Sequence, residues 1–156
     1  MKRMTAVALA LAALAGPALA QDAGDAAKGE KAFGKCRACH QIQAPDGTVI
    51  FKGGVTGPNL YGVIGRPIAS VEGFRYGDGI LKLAESHPGA VWDVHSLAKY
   101  VADPTAYLDE YSGDPKVKSK MTFKLTRDQA DVAAYLLSQS PDAGAQPAET
   151  DGAPRP

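Results

Sequence analysis

The sequence predicts an all-α domain of three to five helices joined by long irregular loops. Three observations point to it. Apolar residues recur at helical spacing in several segments, residues 44–67 are dominated by glycine and proline without a sustained helical or strand period, and the length leaves room for one core.

The chain opens on Lys2 and Arg3, runs through apolar residues 5–14 and reaches Gly16-Pro17 and Ala18-Leu19-Ala20. This reads as a secretory signal peptide cleaved after Ala20. A membrane anchor would need about 20 apolar residues, and this run is shorter and ends at a helix breaker. Cleavage leaves 136 of the 156 residues, enough for one domain. The domain is expected over residues 21–140, with a disordered tail over 141–156 that has no aliphatic side chain larger than alanine. The whole chain has 17 basic and 17 acidic residues; loss of Lys2 and Arg3 leaves 15 against 17, a net of −2. Such a balance gives no reason to expect nucleic acid or a membrane surface as partner.

A first helix is predicted over 22–35, with Asp22 and Asp25 at its start and Ala26, Ala27 and Phe33 facing inward, running into Cys36. After the loop of 44–67, a second is predicted from 94 to about 102, with Asp93 as N-cap, Leu97, Tyr100 and Val101 at helical spacing, and Pro104 as its stop. A short third follows over 105–110, before Ser112-Gly113-Asp114-Pro115 breaks the chain. Thr126 and Gln129 have the spacing of a capping box for a last helix to about 139, with Val132, Ala133, Leu136 and Leu137 as its buried stripe and Tyr135 beside them. Ser140-Pro141 ends it.

The chemistry is concentrated in Cys36-Arg37-Ala38-Cys39-His40, the pattern of covalent haem attachment. Two thiols three residues apart share one face of a helical turn and match the two vinyl groups at one porphyrin edge; the next residue turns its imidazole to the iron. A thioredoxin-like pair would want a preceding strand in a βαβ pattern, a zinc site would want further paired ligands, and a structural disulfide leaves His40 idle. The chain has no third cysteine. The second axial ligand needs a lone pair that tolerates burial. Met121 is the one methionine left after signal removal, in an irregular segment between helices. Taken alone, a single methionine is more often core filler. His87 and His95 are the competitors, each better read as a surface residue or a neighbour of a helix start.

From about Asp22 to Ser140 the sequence resembles the class I cytochromes c, in particular the larger bacterial periplasmic members of the c-two type. The resemblance rests on the cysteine motif, on residues 56–66 (TGPNLYGVIGR), on Gly73-Phe74-Arg75-Tyr76, on Tyr100 with Asp103-Pro104, and on Lys120-Met121-Thr122-Phe123. It implies a compact cytochrome c fold around one covalently bound haem c, with His40 and Met121 as iron ligands. It also implies that the Pro58 carbonyl accepts the His40 N–H, that Arg66, Tyr76 and Trp92 hold the haem propionates, and that Tyr100 lies near the methionine sulfur. Gly29, Phe33 and Tyr135 match the family's crossing of first and last helices. The loops around residues 43–55, 77–91 and 109–120 are longer than in the mitochondrial type, so the carry-over within 77–91 is the loosest.

An iron saturated by His40 and Met121 has no vacant position, which leaves outer-sphere electron transfer. The expected protein is a monomeric periplasmic carrier and not an enzyme. Its expected partners are membrane redox complexes (a cytochrome bc complex as donor, an oxidase or reaction centre as acceptor) and periplasmic dehydrogenases. Docking would use Lys116, Lys118, Lys120, Lys124 and Arg127, joined by Lys28, Lys31, Lys35 and Arg37. The alternatives are a gas-binding or peroxidase-type haem protein with a labile sixth ligand, and a haem domain held in a larger assembly.

Overall fold

The computed structural model describes residues 24–145. The expected signal peptide and Asp22 lie outside the described residues, as does the expected tail beyond residue 145. Five α-helices carry the described chain: α1 (Ala26–Phe33), α2 (Asp78–Ser86), α3 (Val94–Ala102), α4 (Pro104–Tyr111) and α5 (Gln129–Ser138). Strands β1 (Ile42–Gln43) and β2 (Val49–Phe51) form a small antiparallel hairpin. Pro141–Ala145 forms a 3-10 turn with Ala143 buried, so ordered packing reaches into the stretch expected to be tail. No described helix is long and apolar enough to cross a membrane.

The frame is the crossing of α1 and α5. Asp25 caps α1 by accepting from the Ala27 and Lys28 N–H groups, and its own N–H donates to Asp131 Oδ1 of α5 at 2.7 Å. A Cβ on Gly29 would fall against the Asp131 carbonyl and the Tyr135 Cβ, so only glycine lets the two backbones meet. Phe33, fully buried, then packs on Tyr135 and edge-on to Phe51 of the hairpin, with ring centroids 5.6 Å and 4.8 Å away. One aromatic side chain thus joins both helices to the turn that follows.

α3 begins with Asp93 as its expected N-cap: Asp93 accepts from His95 and Ser96 N–H, and Ser96 Oγ completes a capping box by accepting from the Asp93 N–H. α3 ends at Ala102, just ahead of Pro104 as expected, and Pro104 is also the first residue of α4, where a missing N–H costs no helical bond. Asp103 is both the last cap of α3 and the N-cap of α4.

Four expectations are corrected. Residues 44–67 contain β2, paired with β1 just before them, although the pairing is short and Val49 and Ile50 stay exposed. α2 occupies a stretch expected to be loop; Gly77 gives it no side-chain cap, and buried Leu83 with Gly79 close to Leu108 and the Lys118 carbonyl holds it. The Thr126–Gln129 capping box does not form. Leu125 is buried and its N–H is tied to the Val101 carbonyl at 2.8 Å, so Gln129 Nε2 donates to the Leu125 carbonyl and α5 starts from Asp128 in the left-handed region, φ 67°. Leu137, placed in the buried stripe, is 41% exposed.

Candidate functional site: a cavity between the cysteine turn and the methionine loop

α1 ends at Phe33, and the chain continues as tight turns. Cys36 N–H bonds the Phe33 carbonyl (2.8 Å), while Cys39 and His40 N–H both reach the Cys36 carbonyl (3.1 and 3.0 Å). This single helical turn brings Cys36, Cys39 and His40 to the wall of one cavity of about 730 Å³, a size typical of sites that enclose a small molecule or cofactor. Both cysteines are free thiols. Burial pushes the Cys36 thiol up to about 11, whereas Cys39 is exposed at the mouth.

The loop before Pro58 folds back over this turn. Gly54 N–H bonds the Arg37 carbonyl and Gly57 N–H the Cys39 carbonyl, at 2.9 and 2.8 Å. A Cβ on Gly57 would strike the His40 ring, so glycine is needed for the loop to lie flat on the imidazole. His40 Nδ1 is 2.8 Å from the Pro58 carbonyl. A carbonyl only accepts, so Nδ1 carries the proton and Nε2 keeps a free lone pair. Burial holds the imidazole below its ordinary pKa, against the opposing Pro58 hydrogen bond, and so favours the neutral, ligating form.

The other wall is built from distant residues. Met121 is partly buried against the core and lines the cavity. Its N–H donates to Ser119 Oγ (3.1 Å), which also lies 3.3 Å from the Tyr100 hydroxyl. Ser119 N–H in turn donates to Thr105 Oγ1 of α4 (3.3 Å). Lys120 Nζ reaches the Tyr76 and Arg75 carbonyls at 3.2 and 3.5 Å, and its stem lies over Gly77.

Arg66 and Trp92 come together because residues 65–68 pair with 90–92: Gly65 N–H bonds the Trp92 carbonyl and Trp92 N–H the Arg66 carbonyl. Arg66 Nη1 donates to the Tyr61 carbonyl at 3.0 Å. Burial lowers its pKa, with Tyr76 nearby opposing, but a guanidinium stays charged. Tyr76 Oη accepts the Val71 N–H at 3.1 Å. Burial pushes the Tyr100 phenol up, so it stays protonated.

Every expected site residue, namely Cys36, Cys39, His40, Pro58, Arg66, Tyr76, Trp92, Tyr100 and Met121, lines this one cavity. His87 and His95 do not: His87 Nδ1 faces Ser86 Oγ, and His95 sits in the first turn of α3. Sequence reasoning missed Ser119, whose only signal was a hydroxyl two residues before the methionine, and left Gly57 without a stated role. It also missed the charge of the lining. Lys35, Arg66, Arg75 and Lys120 contribute to it, and no aspartate or glutamate does.

These features fit a haem c: two free thiols beside a neutral histidine, a thioether in the same apolar cavity, and a cationic lining suited to two carboxylates. The residues that would hold the group are therefore present together.

No family model matches the chain. The chain is 63% identical over 145 residues to the cytochrome c-550 of Paracoccus versutus, covering 93% of this chain and 94% of that protein. It is 52% identical over 135 residues to the cytochrome c2 of Rhodobacter capsulatus, covering 86% of this chain and 95% of that protein. The X-ray structure of ferric cytochrome c-550 from Paracoccus versutus matches the fold with a TM-score of 0.74 at 64% identity, over 76% of this chain and 99% of that one. With the cavity and its thiols, these likenesses show that the chain belongs to the class I c-type cytochromes of the c-550 and c2 group, electron carriers with one covalently bound haem c.

Proposed function

We propose that His40 Nε2 and the Met121 sulfur are the two axial iron ligands, that Cys36 and Cys39 form the thioethers, and that the carrier shuttles electrons in the periplasm between membrane redox complexes, a cytochrome bc complex or dehydrogenase on one side and an oxidase or reaction centre on the other. The observation that carries this reading is the His40 imidazole, its one N–H occupied by the Pro58 carbonyl at 2.8 Å, opening on the same cavity as Met121. Haem c supplies a one-electron couple when bound. The chain supplies the rest. A thioether and an apolar wall favour the reduced state, the Pro58 carbonyl fixes ring orientation and basicity, and Arg66, Tyr76 and Trp92 are suited to hold the propionates.

Replacing Met121 with alanine tests the ligand set. The ferric haem protein is expected to lose its sulfur-to-iron charge-transfer band and to bind imidazole or cyanide much more tightly; an unaltered ferric spectrum would remove Met121 from the iron. The reading with a labile sixth ligand, a gas binder or small peroxidase, finds no support in relatives that are cytochromes c-550 and c2.

Docking is proposed at the cavity mouth. Val55 (72% exposed) and Phe123 (43% exposed) present apolar surface there, flanked by exposed Arg75 and Lys120. Not all of the basic ring is available, since Lys28, Lys35 and Lys124 pair with Asp25, Asp128 and Asp103. Electron-transfer rates with an acidic partner should fall as ionic strength rises, and a flat salt profile would argue against electrostatic docking.

A further inference from the structure

Two residues other than glycine hold a left-handed backbone among those described, Ala69 at φ 58° and Asp128 at φ 67°. Asp128 is of a type that tolerates this conformation, and it stands at the N-cap of α5. Ala69 has no polar side chain to offset the crowding of its Cβ. Strain of this kind persists only where the surroundings over-determine it, and it gathers at functional sites. Ala69 packs against the core and lines the cavity.

Its place in the chain shows what the turn does. Before it, residues 65–68 are fixed in the pairing with 90–92, with buried Ile68 donating its N–H to the Ala90 carbonyl at 3.0 Å; this segment carries Arg66. After it, Val71 closes the loop 71–76. Its carbonyl accepts the Phe74 N–H at 3.2 Å and its N–H donates to the Tyr76 hydroxyl at 3.1 Å. The Phe74 ring meets Tyr76 edge-on at 4.8 Å. Between the two parts, Ser70 Oγ donates back to the Pro67 carbonyl at 2.6 Å and tightens the bend. Ala69 is thus the joint between the paired segment with Arg66 and the loop with Tyr76.

We propose that Ala69 is a positioning residue for the haem propionates: its left-handed turn sets the Tyr76 hydroxyl against Val71 and near Arg66, presenting a phenol donor and a cation to the same carboxylate. This rests on haem occupying the cavity. The Tyr76 oxygen accepts from Val71, which aligns it and leaves its own hydrogen to donate. Arg66 commits Nη1 to the Tyr61 carbonyl and keeps the rest of its fork. The two side chains are close enough for Tyr76 to act on the charge of Arg66. A carboxylate that receives a phenol hydrogen and faces a guanidinium places less negative charge on the iron, which favours the ferrous state.

The test uses haem-loaded protein, verified by its visible spectrum, with amide hydrogen exchange at Val71 and the reduction potential as readouts. Ala69→Val places a β-branched residue where φ is positive, a conformation foreign to it. The turn should open, the Val71 amide should exchange at least tenfold faster, and the potential should fall. Ala69→Asn is of similar bulk and Ala69→Gly is smaller, but both accept the left-handed region; each should keep the parent's Val71 protection and potential. Tyr76→Phe keeps the ring and removes the hydroxyl. It should free the Val71 amide and lower the potential by itself, and adding Ala69→Val should lower the potential no further. This arm decides the matter even where the valine variant does not fold. A parent-like potential in Ala69→Val or in Tyr76→Phe would overturn the proposal, as would an asparagine variant that behaved like the valine one, since bulk and not the turn would then be at work. Parent protein that never shows a haem spectrum would instead overturn the functional reading, and the spectrum tells the two failures apart.

Discussion

The two side chains proposed to hold the iron reach the cavity by opposite means. His40 is placed by its neighbours in sequence: α1 leads through Phe33 into one turn in which Cys36 N–H returns to the Phe33 carbonyl and Cys39 and His40 N–H to the Cys36 carbonyl. A single loop, 53–58, then covers the ring. Met121 belongs to no regular element and is placed by residues far along the chain. Ser119 ties its backbone to Tyr100 of α3 and Thr105 of α4, Lys120 reaches the 75–76 carbonyls, and Leu125 is pinned to Val101. A wall built from local bonds holds its geometry while its own turn survives. A wall built from scattered tertiary bonds opens as soon as a few of them fail. The methionine side should therefore be the first part of the site to yield, and each wall should be separately breakable.

The largest effect is expected on the histidine side. Gly57→Ala would put a methyl group against the His40 ring, whose Cε1, Nδ1 and Nε2 would all lie within 2.7 Å of it. Either the imidazole leaves the Pro58 carbonyl or residues 53–58 lift from the turn. Overpacking of this kind costs about 1–3 kcal/mol, and here it also disturbs the ligand. Denaturant unfolding of the haem protein should show a lower midpoint, and the ferric spectrum should change. An unchanged midpoint and spectrum would mean that this wall is not rigid.

Ser119→Ala should act on the other wall alone. The Met121 N–H and the buried Tyr100 hydroxyl each lose a partner, and a hydrogen bond of this kind is worth about 1 kcal/mol. That corresponds to roughly a fivefold rise in the apparent affinity of imidazole or cyanide for ferric iron, because these ligands compete with the methionine. If global unfolding moved as much as ligand binding, the two walls would be one cooperative unit and the contrast would fail.

The same contrast explains what could be read in advance. The cysteine turn, the Asp93 cap and the periodic face of α3 are local, and local chemistry is written in neighbouring residues. The misreadings are all tertiary. Nothing near Asp78 announces α2, since its start lacks a side-chain cap and its hold comes from Leu83 in the core and Gly79 against Leu108 and residue 118. Thr126 and Gln129 have the right spacing for a cap, but the bond from Leu125 to Val101 decides where α5 begins. Met121 itself was ambiguous from its residue type. The resemblance to a family assigned it, and the Ser119 contacts that position it are tertiary, marked in the sequence only by a hydroxyl two residues before the methionine.

The smallest effect is expected where the methionine loop meets the joint of α3 and α4. Asp103 accepts the Ala106 N–H as N-cap of α4 (3.2 Å) and pairs with Lys124 Nζ (2.5 Å). Lys124 chiefly, and then the Ala106 N–H, hold the Asp103 carboxyl below the ordinary aspartate value. A carboxyl whose folded pKa is depressed adds stability above its unfolded pKa, and that contribution disappears as pH falls through the folded value. Asp103→Asn keeps a competent cap and removes only the charge; the pair is exposed to solvent, so little is lost even near neutrality. Thermal midpoints of parent and variant should differ slightly near neutral pH at low salt, and converge both at high salt and below the carboxylate range. A difference that persisted in acid could not come from the ion pair, and would instead assign Asp103 to the methionine wall through its helix cap.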